Sequence, residues 1–166
     1  MPVLKADQKH YVEFTLNGKP AAGYAEPRML LTDFLRKEIG LTGMHVACEH
    51  GVCGACTILL DGKTARGCLI FAVQVAGRKV DTVEGLAGDR EDLTDLQLAF
   101  KKNHALQCGF CTPGILMSTA AFLEANPDPD EEDVRDMLSG HLCRCTGYTG
   151  MIRAVLEVAA ARNSSR

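Results

Sequence analysis

Eight cysteines in a chain of 166 residues constrain the fold more than any other feature, because they divide into two sets of four. Cys48, Cys53, Cys56 and Cys68 lie in the first half, and Cys108, Cys111, Cys143 and Cys145 in the second. An exported chain with this count would be read as a disulfide framework. The N-terminus, Met-Pro-Val-Leu-Lys-Ala-Asp-Gln-Lys-His, has no apolar core of a signal peptide, and no apolar run approaches the roughly 20 residues that span a bilayer. The chain is also long enough to bury a core without covalent staples. The expectation is a cytoplasmic protein whose thiols bind metal or carry redox chemistry.

Spacing separates the two sets. Four residues and then two separate Cys48, Cys53 and Cys56, and eleven more precede Cys68. The opening intervals are those of plant-type [2Fe–2S] ferredoxins. A tight loop can bring three thiolates around two sulfide-bridged irons, with the fourth from a following turn. Gly51 and Gly54 leave room for backbone to approach such a cluster. In the second set two residues separate Cys108 from Cys111, thirty-one follow, and one separates Cys143 from Cys145. Both pairs fall at predicted helix ends, where the positive end of a helix dipole favours thiolate. Structural zinc also uses four cysteines. The first set lacks the two separated knuckles of a zinc site, whereas spacing alone leaves zinc open for the second.

The intervening sequence predicts an α+β chain. His10–Leu16 alternates, with Val12, Phe14 and Leu16 on one side, and Asn17-Gly18 is a two-residue hairpin turn leading to a strand over Lys19–Ala25. Leu30, Leu31, Phe34, Leu35 and Ile39 recur at helical spacing up to Gly40. Gly43–Cys56 reads as a long loop, and Thr57–Leu60 and Lys63–Ala65 as strands about Asp61-Gly62. Ile70–Val75 and Lys79–Val83 are also expected as strands. After Gly88 the β signals stop. Thr94 is expected to cap a helix bearing Leu96, Leu98 and Phe100. Thr112 is expected to cap another, with Pro113 in its first turn and Ile115, Leu116, Thr119, Phe122 and Leu123 on one face. Asn126–Pro129 breaks it. Asp130 opens an acidic first turn whose helix buries Val134, Met137 and Leu138. A last helix spans about Thr149–Ala161 with Ile152, Val155, Leu156 and Ala159 inward, and Arg162–Arg166 is expected to fray. The halves divide at 1–84 and 85–166.

Several classes are disfavoured. Net charge is −3 with no long basic run, which gives no nucleic-acid surface. With 46% hydrophobic and 23% charged residues, the composition is that of a globular chain. There is no Gly-x-Gly-x-x-Gly, no Walker A pattern and no Ser/His/Asp arrangement placed by motif. The acidic stretch Asp128–Asp133 reads as a helix start and a solvated face. Among the histidines, His45 and His50 flank Cys48 and read as surface or supporting residues rather than Rieske-type ligands, His10 and His104 as surface or loop residues, and His141 as a hydrogen-bonding neighbour of Cys143. The chain is thus equipped to carry electrons, with no constellation for transforming a substrate.

Three segments together resemble a known family: Gly43-Met-His-Val-Ala-Cys-Glu-His-Gly-Val-Cys-Gly-Ala-Cys-Thr57, Gln107-Cys-Gly-Phe-Cys-Thr-Pro-Gly114 and Cys143-Arg-Cys-Thr-Gly-Tyr148. They resemble the small iron–sulfur subunit of the molybdenum hydroxylases, the xanthine oxidase family, in its separate-subunit form. That form includes aerobic carbon monoxide dehydrogenase and N-heterocycle hydroxylases, and the resemblance covers roughly residues 10–160. It implies a β-grasp ferredoxin-like domain followed by a four-helix-bundle domain, each with one [2Fe–2S] cluster. It further implies a molybdenum–pterin large subunit, an FAD-binding medium subunit and a dimer of heterotrimers. Electrons would pass from molybdenum to the cluster of Cys108, Cys111, Cys143 and Cys145, then to that of Cys48, Cys53, Cys56 and Cys68, then to FAD. Gln107 and Cys145 match the family residues beside the pterin. Two positions depart from the family pattern: Ala47 replaces a frequent Gly, and His141 stands near a frequent Asn. A stand-alone two-cluster carrier is the alternative reading, and a zinc-stabilised interaction module a third.

Overall fold

The computed structural model describes residues 4–88 and 92–164. Its first half is a five-stranded sheet. Strands β1 (His10–Leu16) and β2 (Lys19–Ala25) form the expected hairpin, with Asn17 and Gly18 at φ of 50° and 77°. Strands β3 (Thr57–Leu60) and β4 (Lys63–Arg66) form a second hairpin about Asp61-Gly62, and β5 (Lys79–Asp81) completes a sheet of order β2-β1-β5-β3-β4. β1 and β5 run parallel and the other pairs antiparallel. Val12, Phe14 and Leu16 all point inward, as the alternation predicts. They meet Leu31, Phe34 and Leu35 from a helical segment laid across the sheet.

That segment is shorter and less regular than the sequence predicts. A single turn, α1 (Leu31–Asp33), continues as a π-helix over Phe34–Glu38. Its Ile39 N–H donates to the Phe34 carbonyl at 3.1 Å, an i to i+5 bond. The wider turn still buries Leu31, Phe34 and Leu35 completely, each contributing about 1.5–3 kcal/mol. Ile70–Val75 is not a strand. Only Phe71 makes a bridge, to Leu30, and Ala72–Val75 is a 3-10 turn. Likewise β5 stops at Asp81, and Val83–Gly85 turns as 3-10.

The second half is four helices: α2 (Asp95–Lys102), α3 (Thr112–Ala125), α4 (Glu131–Ser139) and α5 (Tyr148–Ser164). Thr94 caps α2 as expected, its side chain accepting from the Gln97 N–H at 3.2 Å while Gln97 returns a bond to the Thr94 backbone. Asp130 caps α4 in the same way through Asp133. The cap of α3 is Cys111, not Thr112, and the Thr112 hydroxyl is buried without a partner. On α2, Leu96 and Phe100 are buried, but Leu98 is 51% exposed, because α5 covers only one side of that helix. Phe122, Met137 and Leu156 are only partly buried at the edge of the helical core. α5 runs beyond Ala161 to Ser164, and Arg162 pairs with Asp95 at 2.7 Å instead of fraying; residues 1–3 and 165–166 lie outside the described residues. Each half has its own hydrophobic core. No helix among the described residues is long and apolar enough to cross a membrane.

Candidate metal centres

The first centre is held by the loop between the helical segment and β3. Glu49, Gly51 and Gly54 adopt positive φ of 55°, 76° and 78°, which curls the loop and turns its amides inward. The Cys53 N–H reaches the Cys48 sulfur at 3.5 Å. The amides of Cys53 and His50 together bring the Cys48 thiol down to about 6. Cys56, beside β3, meets Cys68 in the 3-10 turn after β4. Burial, then the Cys56 thiol next to it, pushes Cys68 up to about 11.

The second centre joins two loops of the helical half. Cys108 and Cys111 precede α3, and Cys143 and Cys145 precede α5. Cys108 is exposed and is lowered, first by the Phe110 amide and then by the Cys145 thiol. Cys111 is pushed up to about 12 by burial and by the adjoining Cys143 thiol. Tyr148 fastens the second loop: its hydroxyl accepts from the Cys143 N–H at 2.8 Å and donates to the His141 carbonyl at 3.0 Å.

Every expected thiol is thus brought to one of two centres, and each centre resolves into two pairs. Cys48 contacts Cys53 and Cys56 contacts Cys68; Cys108 contacts Cys145 and Cys111 contacts Cys143. Among the described residues no three His, Cys, Asp or Glu side chains close on a single-ion position. Two pairs of thiols suit two irons with two thiolates on each. Cys68 and Cys111, each raised and each beside a second buried thiol, also need a cationic partner to ionise, because adjoining thiolates repel. The donor set therefore fits a [2Fe–2S] cluster in each centre.

The centres are packed against each other. The Leu142 N–H donates to the Cys53 carbonyl at 3.0 Å, so a thiol-bearing residue of the first centre is one hydrogen bond from the neighbour of Cys143. Gly54 and Gly114 bring the backbone of the first loop onto the first turn of α3. A Cβ on Gly114 would press into the Gly54 carbonyl and stand 2.9 Å from that of Ala55. Arg66 spans the seam, donating through Nε to Gly51 O at 3.4 Å, through Nη2 to Gly140 O at 2.7 Å, and through Nη1 to Thr57 Oγ1. Gln107 lies on the exposed side, where its Nε2 donates to the Cys145 carbonyl at 3.1 Å.

Sequence reasoning missed most of these supports. His141 is 3% exposed, its Nε2 bonds Ser118 Oγ at 2.8 Å, and burial with the nearby Arg66 charge lowers it to about 4. It does not reach a thiol. His45 Nδ1 donates to the Phe110 carbonyl at 2.8 Å, across the seam. His10 and His104 remain partly buried and exposed loop or strand-end residues, as expected. Partners 65 residues apart leave no local signal in a sequence.

Comparison with known proteins agrees with this geometry. Residues 14–87 match the family model described as a 2Fe-2S iron-sulfur cluster binding domain, and residues 82–156 the [2Fe-2S] binding domain. The chain is 51% identical to the nicotine 6-hydroxylase small subunit of Paenarthrobacter nicotinovorans, over 88% of this chain and 87% of that one. It is 51% identical to the caffeine dehydrogenase subunit gamma of Pseudomonas sp. strain CBB1, over 90% of each. Its fold superposes on a chain of quinoline 2-oxidoreductase from Pseudomonas putida 86 with TM-score 0.91 and 49% identity, covering 96% of this chain and 98% of that one. The chain therefore belongs to the small iron–sulfur subunits of the molybdenum hydroxylases, the xanthine oxidase family, with a β-grasp ferredoxin-like domain followed by a helical [2Fe–2S] domain.

Proposed function

We propose that this chain is the electron-transfer subunit of a molybdenum hydroxylase complex. It would pass electrons from a molybdenum–pterin site on a large subunit, through two [2Fe–2S] clusters, to FAD on a medium subunit. Cys108, Cys111, Cys143 and Cys145 hold the cluster on the molybdenum side, and Cys48, Cys53, Cys56 and Cys68 the one on the flavin side. When bound, each cluster takes up and releases one electron. The division of the chain at 1–84 and 85–166 assigns one cluster to each half.

The observation that carries this reading is the pair of four-thiol centres joined back to back by the Leu142–Cys53 hydrogen bond. Gln107 and Cys145 are the proposed pterin contacts. Their support is mutual: the Gln107 amide bonds the Cys145 carbonyl beside the exposed Cys108. Apolar side chains are exposed close by in the chain, Leu106 and Phe110 next to Gln107 and Cys108, Leu142 next to Cys143, and Val52 and Leu69 in the loops of the first centre. Such surfaces suit docking to two larger subunits, in a cytoplasmic dimer of heterotrimers. A stand-alone carrier would explain the thiols, but relatives named as small or gamma subunits favour the complex. Nicotine, caffeine and quinoline in the names of relatives point to an N-heterocycle as the substrate class of the large subunit.

The test is purification of the complex from its native host. The small chain should carry about four irons and four acid-labile sulfides, and co-purify with a molybdenum protein and a flavoprotein. An N-heterocycle should reduce the flavin, and Cys108→Ser should block flavin reduction while molybdenum is still reduced. Zinc without labile sulfide, or a chain that purifies alone, would overturn the proposal.

A further inference from the structure

His45 belongs to the first loop, three residues before Cys48, yet both of its contacts are with the second centre. Its Nδ1–H donates to the Phe110 carbonyl at 2.8 Å. Its ring stacks on that of Phe110 with centroids 4.8 Å apart and planes 25° apart. Phe110 stands between Cys108 and Cys111, and 44% of it is exposed. Without a partner, so exposed a ring on a short loop would be free to rotate, and its peptide with it. The gripped carbonyl belongs to the Phe110–Cys111 peptide, whose N–H is that of the buried Cys111 and favours the thiolate of that residue against the effect of burial. Amides directed at cluster sulfurs favour the more negative, reduced state and raise its potential.

We propose that His45 is a positioning residue for the second centre: by gripping the carbonyl and ring of Phe110 it fixes the Phe110–Cys111 peptide at the thiol-bearing Cys111, so one domain sets the reduction potential of the cluster in the other. The hydrogen bond fixes the rotation of the peptide, and the stack limits the swing of the loop. This device rests on the cluster assignment above and adds to it a residue that touches no thiol.

Three variants separate the parts, studied in the intact complex. His45→Gln keeps a donor near Phe110 O and loses the stack. His45→Phe keeps a ring and loses the donor, and His45→Ala loses both. Each is titrated electrochemically while cluster signals are followed by electron paramagnetic resonance, the Cys108-side step being the one lost in Cys108→Ser. In His45→Ala and His45→Phe that step should fall by a factor of three to ten in the reduction equilibrium, about 30 to 59 mV for one electron. His45→Gln should stay close to the parent, and the Cys48-side step should not move in any of the three. An unmoved Cys108-side step in His45→Ala, equal shifts at both clusters, or a Gln variant shifted as far as the Ala variant would overturn the proposal. If His45→Ala loads no iron, the Gln and Phe variants decide by the same criterion. A parent chain with no iron and no labile sulfide would instead overturn the cluster assignment itself.

Discussion

Gly114→Ala adds one methyl group at a point where the backbones of the two halves approach closely. The new Cβ would press into the Gly54 carbonyl oxygen and stand 2.9 Å from the Ala55 carbonyl oxygen and 3.0 Å from its carbon. Ordinary contact would need at least 3.4 Å. All three atoms are backbone, so no rotamer change relieves the crowding. Either the loop from Gly54 to Ala55 moves, taking Cys53 and Cys56 with it, or α3 lifts away. Overpacking of this kind costs about 1–3 kcal/mol where side chains can adjust, and the upper figure applies where backbone meets backbone. Against it stands the gain from replacing Gly by Ala in a helix, about 1 kcal/mol.

The balance for unfolding is a net loss of about 2 kcal/mol. The helix gain is the same with the seam open or closed, so docking between the halves loses the full steric cost of about 3 kcal/mol, which raises the population with the seam opened by a factor of about 150. Hydrogen exchange on the cluster-loaded chain reads this directly. Protection should fall for the amides of Thr57 and Leu142, which bond Gly54 O and Cys53 O, while amides in the middle of α5 keep theirs. A Gly114→Ala chain as stable as the parent, with the Leu142 amide equally protected, would refute the argument that Gly is required there for close approach.

Three further outcomes follow from contacts away from the thiols or beside them. Arg66→Ala leaves the Gly140 and Gly51 carbonyls and the Thr57 hydroxyl without their donor, and should cost about 2 kcal/mol, or about 1 M in the urea midpoint. Arg66→Lys should not recover this, since one ammonium cannot span three acceptors; full recovery would show that charge alone matters. Thr94→Ala removes the α2 cap and should cost about 1 kcal/mol, with a fall of a few degrees in Tm; an unchanged Tm would mean the cap bond is lost to solvent without cost. Asp61 is held below the usual carboxylate range by the Lys79 amide and by Arg78. Its stabilisation is therefore present above about pH 4, its unfolded value, and is lost as pH falls through the lower folded value. Asp61→Asn should be less stable than the parent at pH 6 and the gap should narrow at pH 3.5; a gap of constant size in urea unfolding would count against that assignment.

What the sequence revealed and what it hid follow from the range of the interactions. Asn17-Gly18, Asp61-Gly62, Thr94 with Gln97 and Asp130 with Asp133 are each decided within four residues, and each is where local chemistry puts it. Thr112 has the right side chain for a cap, but the chain is already turning at Cys111, so the helix begins one residue early. Ile70–Val75 has the composition of a strand, yet β propensity acts only where a sheet edge is open. Here β5 lies between β1 and β3, and the segment serves to carry the chain back to that central position, leaving Phe71 43% exposed. The eight thiols sort into two sets by spacing alone. Their pairing within each set does not, since Cys108 meets Cys145 and not its neighbour Cys111.

The residues between the two halves also show why docking and metal binding are one problem in this chain. Leu142 adjoins Cys143, Cys53 is itself a candidate ligand, and Gly54 and Ala55 fill the gap between Cys53 and Cys56. The seam is therefore made of the same short loops that carry the thiols. Each half has its own main apolar cluster, with Val83 of the first packed against the second, and the seam adds backbone hydrogen bonds, close glycine contacts, the His45–Phe110 bond and stack, and the Arg66 fork. Such directional contacts fix distance and orientation better than an apolar interface can, because a shift of half an ångström loses the bond. For two redox centres in series, fixed separation is the property that matters, and the chain obtains it by letting each centre's loop be the other's support.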